Sequence, residues 1–143
     1  MFAQGKSSGS GPWSPIASFR SGLVDHRMAR RSLINEFRRG RLGREDICDA
    51  HPELMRAARG VGRRTETVCP ICTEDNLVLV TYVFGPRLPS HGKVVADNAE
   101  LAQFHRRREE YAAYVVEACC SCRWHHLVRV LPIGGQRTAR RVG

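Results

Sequence analysis

At 143 residues, with 42% apolar content and 13 glycines, the chain has room for one domain with a modest core that gains from a metal staple. No apolar run reaches the length of a membrane span, and a formal charge of +9 points to a polyanion or an acidic surface as partner. The charge is uneven. Residues 20–64 hold 12 Arg against 6 acids, residues 65–136 hold 7 basic against 8 acidic side chains, and the tail adds Arg137, Arg140 and Arg141. Arg outnumbers Lys 21 to 2, a bias that GC-rich coding also produces.

Residues 1–22 are rich in Gly, Ser and Pro and read as a disordered basic arm that buries too little to order itself. They contain no apolar run of signal-peptide type, so the expected compartment is the reducing cytoplasm. From about residue 23 to 39 the pattern is helical, with Leu23, Leu33, Ile34 and Phe37 within an arc of roughly 100°. Arg27, Arg31 and Arg38 fall within about 40° of one another along the edge of that arc, as a stripe along a phosphate backbone would require, or as a solvated face.

Gly40 and Gly43 break this helix, and residues 44–50 and 52–59 read as two short helical pieces. The step His51-Pro52 marks the restart, because proline suits the first helical turn and pushes its predecessor out of the α region. Residues 23–64 therefore form an Arg-rich helical module. It superficially resembles a helix-turn-helix, but its last piece offers Arg56 and Arg59 with no Asn, Gln or Ser to read bases. Cys48 and His51 have ligand-like spacing, yet two ligands are too few for a site, and Cys48 reads as a small buried thiol.

Four cysteines in two short pairs carry the chemistry: Cys69 and Cys72 in Cys-Pro-Ile-Cys, and Cys119 and Cys122 in Cys-Cys-Ser-Cys. Two residues between paired cysteines let both sulfurs face inward from one tight turn, and two such turns supply the four thiolates of tetrahedral zinc. Four cysteines close the shell, so the predicted zinc is structural. Cys120 is expected to be a free thiol beside a ligand, where oxidation would release metal.

Between the pairs, residues 77–84 form a strand ended by Gly85-Pro86, and residues 93–96 a shorter one. Asp97 and Glu100 make a capping box for a helix running to about Glu110. Residues 111–118 lead as a strand into the second pair, and residues 124–131 return from it. The fold class is thus α+β: a helical module followed by a three-stranded antiparallel zinc ribbon over residues 65–133, with a helical insertion, and a disordered basic tail at 134–143. Trp124 and His125 would contact a partner if exposed; strict alternation would instead bury Trp124 and His126 and expose His125.

No P-loop, nucleophile elbow or His-Glu-x-x-His motif is present, and no small-molecule substrate is evident. The expectation is a non-catalytic binding module on nucleic acid or a nucleoprotein machine, RNA polymerase or the ribosome, with Arg27, Arg31, Arg38, Trp124 and His125 as contact residues. A zinc-thiol redox sensor is the alternative of a different kind.

Several runs together, Arg30-Arg31-Ser32-Leu33, Cys48-Asp49-Ala50-His51-Pro52, Cys69-Pro70-Ile71-Cys72, Val115-Val116-Glu117 and Trp124-His125-His126-Leu127, resemble an uncharacterised actinobacterial family known as a domain of unknown function. The resemblance covers roughly residues 23–131. It implies a small cytoplasmic zinc-ribbon protein and brings no activity with it. The chain departs from that pattern in Cys120, so a redox role for this thiol does not extend to the family.

Overall fold

The computed structural model describes residues 24–135; the predicted arm, Leu23 and the end of the tail lie outside them. In chain order the elements are β1 (Val24–Asp25), α1 (Arg27–Arg38), α2 (Arg44–Ile47), α3 (Pro52–Val61), β2 (Arg63–Val68), β3 (Asn76–Phe84), β4 (Lys93–Val95), α4 (Asn98–His105), β5 (Glu110–Ala118) and β6 (His125–Gly134). Among these helices none is long and apolar enough to cross a membrane.

The strands form one antiparallel sheet of order β1-β6-β5-β3-β2, with β4 pairing along the rest of the outer edge of β3. Five strands lie on this path where a three-stranded ribbon was expected. The two additions were silent in the sequence for different reasons. β2 is Arg-Arg-Thr-Glu-Thr-Val and almost wholly exposed, so it carries no apolar alternation. Cross-strand bonds hold it, including Thr65 Oγ1 to the Leu77 carbonyl at 2.8 Å and Asn76 Nδ2 to the Thr65 carbonyl at 3.0 Å. Charged residues on such an edge also discourage pairing with another chain. β1 is a two-residue pairing of Val24 with Val130 and Asp25 with Arg129, and it starts α1 at Arg27 rather than at residue 23.

Two further boundaries move. α4 stops at His105, short of the expected end at Glu110, which already belongs to β5; β6 runs on to Gly134. The start of α4 keeps half of the expected capping box: Asp97 accepts the Glu100 N–H at 2.9 Å, whereas Glu100 accepts from the Ala96 N–H, one residue before the N-cap, at 2.9 Å.

β3 and β5 are covered on both faces, which explains their nearly unbroken apolar runs. On one face Val78, Val80, Phe84, Tyr114 and Val116 pack with Ala50 and with Leu54, Met55 and Ala58 of α3. Each large apolar side chain buried there stabilises by about 1.5–3 kcal/mol. On the other face Ile34 of α1 and Ile47 of α2 meet Leu77 and Trp124 near the cysteine turns, while Phe104 of α4 meets Val83, Tyr111, Ala113 and Ile133 at the far end. The helical segment therefore shares its buried residues with the sheet instead of forming a core of its own.

Candidate metal centre

Each cysteine pair sits at the tip of a hairpin. The first turn joins β2 to β3, where Val68 pairs with Asn76, and the second joins β5 to β6, where Ala118 pairs with His125. Because β3 and β5 pair antiparallel with Val78 opposite Ala118, both tips lie at the same end of the sheet. That register brings Cys69, Cys72, Cys119 and Cys122 together although the pairs are far apart in sequence.

The turns are built alike. The N–H of Thr73 bonds to the Cys69 carbonyl at 3.1 Å, and the N–H of Arg123 to the Cys119 carbonyl at 3.0 Å. Both residues follow the second cysteine of their pair and both are left-handed, with φ of 57° and 75°. A β-branched Thr there is strained, and the matching hydrogen bonds hold it.

Backbone amides point at the sulfurs: Ile71 N–H at Cys69 and Glu74 N–H at Cys72, with the N–H groups of Ser121 and Cys122 at Cys119, all at 3.4 Å. These dipoles favour the thiolate form. The four sulfurs all lie within 4.8 Å of one another, with Cys72 and Cys119 at 3.6 Å and Cys69 and Cys122 at 3.8 Å. Metal–thiolate bonds of about 2.3 Å in a tetrahedral shell put sulfurs about 3.8 Å apart, so the spacing fits a metal ion.

Burial, aided by the neighbouring thiols Cys122 and Cys119, pushes the Cys69 thiol up, and burial together with Cys48 does the same to Cys122. At Cys72 burial acts in the same sense but is outweighed by the Glu74 N–H and by bonds from the other thiols, so its pKa is lowered. Such a crowd resists carrying four charges by itself; a bound cation removes that penalty. Cys69, Cys72 and Cys119 are buried, walled by Ile34, Ile47, Ile71, Leu77 and Trp124.

Other predicted residues are placed differently. Arg27, Arg31 and Arg38 are all exposed on α1. Trp124, expected as a contact residue, is fully buried and donates its indole N–H to Glu117 Oε2 at 2.8 Å; the burial removes it from any contact surface and corrects that expectation. His126 is buried beside it, ring stacked on ring at 5.9 Å. The side chain of His125 is 11% exposed, with Nε2 3.2 Å from Asp49 Oδ1. Cys120 is half-buried against the α3 face of the sheet, outside the four-sulfur group, and burial raises its pKa.

Cys48, expected as a small buried thiol and nothing more, has its Sγ 3.5 Å from that of Cys122. Its two-residue separation from His51 drew attention to the wrong pairing: His51 caps α3 instead, accepting the Glu53 N–H at 3.1 Å. Two clefts lie beside α3, with no signal in the sequence. One of about 650 Å³ is lined by Arg56, Arg59 and Arg123. Another, of about 820 Å³, is lined by His51, Glu53, Arg56, Tyr82, His91 and Val94 among others; burial, reinforced by Glu53, pushes the Tyr82 hydroxyl up to about 12.

A helix-covered antiparallel sheet with four thiols gathered at two hairpin tips defines an α+β protein with a candidate tetrathiolate metal centre. The chain belongs to the family of unknown function DUF5318, whose model matches residues 17–142. It is similar to the uncharacterized proteins Rv0049 and MT0055 of Mycobacterium tuberculosis and Mb0050 of Mycobacterium bovis. Each is 40% identical over 117 residues, covering 82% of this chain and 85% of the relative. No solved structure matches it.

Proposed function

We propose that the protein is a non-catalytic zinc-ribbon module that docks on nucleic acid, within the transcription machinery. Zinc is the metal of choice for four thiolates in a closed tetrahedral shell, with no open position for water. Its role is structural: it clamps the two hairpin tips against which α1 packs.

The observation that carries the nucleic-acid reading is the exposed row of Arg27, Arg31 and Arg38. The adjoining face of the same helix is spent on packing, with Leu33, Ile34 and Phe37 against the cysteine cluster, so the metal core would hold the row rigid. Arg56, Arg59 and Arg123 line a second basic surface beside the second cysteine turn. Phosphate contacts of this kind position a protein without reading sequence.

Gel-shift titrations of the zinc-loaded protein over a range of salt, with duplex DNA and with single-stranded RNA, test the reading. Binding that weakens by about 0.9 per phosphate contact on a log–log salt plot supports duplex DNA; about 0.7 on single strands favours the ribosomal version of the same idea. Absence of binding to either at low salt refutes it, and a protein complex that survives nuclease treatment would point to an acidic protein surface instead.

A further inference from the structure

The sulfurs of Cys48 and Cys122 are 3.5 Å apart, as near as those of Cys72 and Cys119 at 3.6 Å or of Cys69 and Cys122 at 3.8 Å. Cys48 directly follows α2 and is half-buried in the apolar cluster that surrounds the metal-site sulfurs, but it is outside the group of four. The chain around the contact is clamped from both sides. Ala50 N–H donates to the Arg123 carbonyl at 3.0 Å, and the Arg123 guanidinium donates back to the Ala50 carbonyl at 2.7 Å. These bonds lie two residues from Cys48 and one from Cys122, so the two segments that carry the sulfurs are tied together beside the contact.

We propose that Cys48 and Cys122 form a peroxide-sensitive disulfide site, with Cys122 the metal-held nucleophile and Cys48 the resolving thiol. The proposal rests on the metal reading for the thiolate at Cys122. That thiolate attacks one oxygen of hydrogen peroxide; an S–O bond forms, the O–O bond breaks, and the departing hydroxide takes a proton from solvent to become water. Cys48 sulfur then attacks the sulfenic sulfur of Cys122, forming the S–S bond as the S–O bond breaks, and the Cys48 proton leaves with the hydroxyl as a second water. Two thiols are oxidised by two electrons and one peroxide is reduced.

Pairing with Cys48 is favoured over pairing between ligands for a countable reason. A disulfide between two members of the four-sulfur group removes two thiolates from the shell, whereas Cys48–Cys122 removes one. Cys120 takes no part, since it packs on the α3 face of the sheet.

Metal content of the untreated full chain is measured first: protein that neither retains nor takes up zinc defeats the metal reading, whereas disulfide mapping decides the pairing separately. The protein is then treated with hydrogen peroxide, its remaining thiols are blocked, and its cross-linked peptides are mapped by mass spectrometry while a chromophoric chelator follows zinc release. The expected result is a Cys48–Cys122 cross-link, reversed by dithiothreitol and accompanied by zinc release. Cys48→Ser and Cys48→Ala should keep zinc, lose the cross-link and release metal more slowly under the same peroxide, while Cys120→Ser behaves as wild type. A dominant cross-link within the four-sulfur group would overturn the proposal. So would wild-type release by Cys48→Ser, or loss of zinc from folded Cys48→Ser without peroxide, which would make Cys48 a ligand. Should the Cys48 variants fail to fold, the wild-type cross-link map alone decides.

Discussion

Arg30 Nε lies 2.6 Å from Glu117 Oε2, an ion pair that ties α1 to β5 across 87 residues of sequence. The same oxygen accepts the Trp124 indole N–H at 2.8 Å, so one carboxylate holds the first helix, the central strand and the exit of the second cysteine turn. Glu117 is 7% exposed, and these partners replace the water it has lost. Glu117→Ala leaves a guanidinium and an indole N–H without their acceptor and should cost about 3–5 kcal/mol. Glu117→Gln keeps an acceptor and should cost less. Urea denaturation of zinc-loaded protein measures both; a loss under about 0.5 kcal/mol for the alanine variant would place the carboxylate in the range of an ordinary surface substitution.

One zinc per chain is expected, with Cys69→Ser and Cys119→Ser losing the metal and the folded tips, because opening a closed shell removes binding energy that is also folding energy. Cys120→Ser should retain full occupancy. Elemental analysis of the purified variants gives the answer directly, and full zinc in Cys69→Ser would reject the ligand set.

Replacing Arg27, Arg31 and Arg38 together by Gln should flatten the salt dependence of duplex binding by up to about 2.7 in log–log slope, at about 0.9 per lost phosphate contact. All three are exposed, so the variant should remain folded, which circular dichroism checks. Unchanged salt slope in a normally folded triple variant would remove the row from the interface.

Burial pushes the His126 imidazole down to about 4, with His26, Arg30 and His125 adding to the depression and its bond to the Leu127 carbonyl opposing it. The unfolded chain, titrating near 6.5, then binds more protons than the folded one between these values. Stability from this group is complete above the unfolded pKa and falls as pH drops toward the folded one, by at most about 3 kcal/mol. Glu117 lies opposite His126 in register and is the acidic neighbour able to reduce the effect. His126→Gln should flatten the stability profile between about pH 4 and 6.5; a profile as steep as wild type would assign the acid sensitivity to other groups.

What the sequence determined by itself was local. Two residues between cysteines dictate a turn with both sulfurs inward, a β-branched and aromatic run dictates β3, and Asp97 with Glu100 dictates the start of α4, because each depends on neighbours within one turn or one strand. Each half of the four-sulfur cluster was legible for the same reason, and their matched spacing marked them as partners; the β3–β5 register is what brings them together. What tertiary structure decided depended on groups distant in sequence. β2 has no apolar period to read and exists because β3 offers it hydrogen bonds. Trp124 looked available to a partner until Glu117 supplied a buried acceptor for its N–H. Cys48 read as an ordinary core thiol, and it stands beside Cys122 where the two Ala50–Arg123 hydrogen bonds join segments that no local pattern connects.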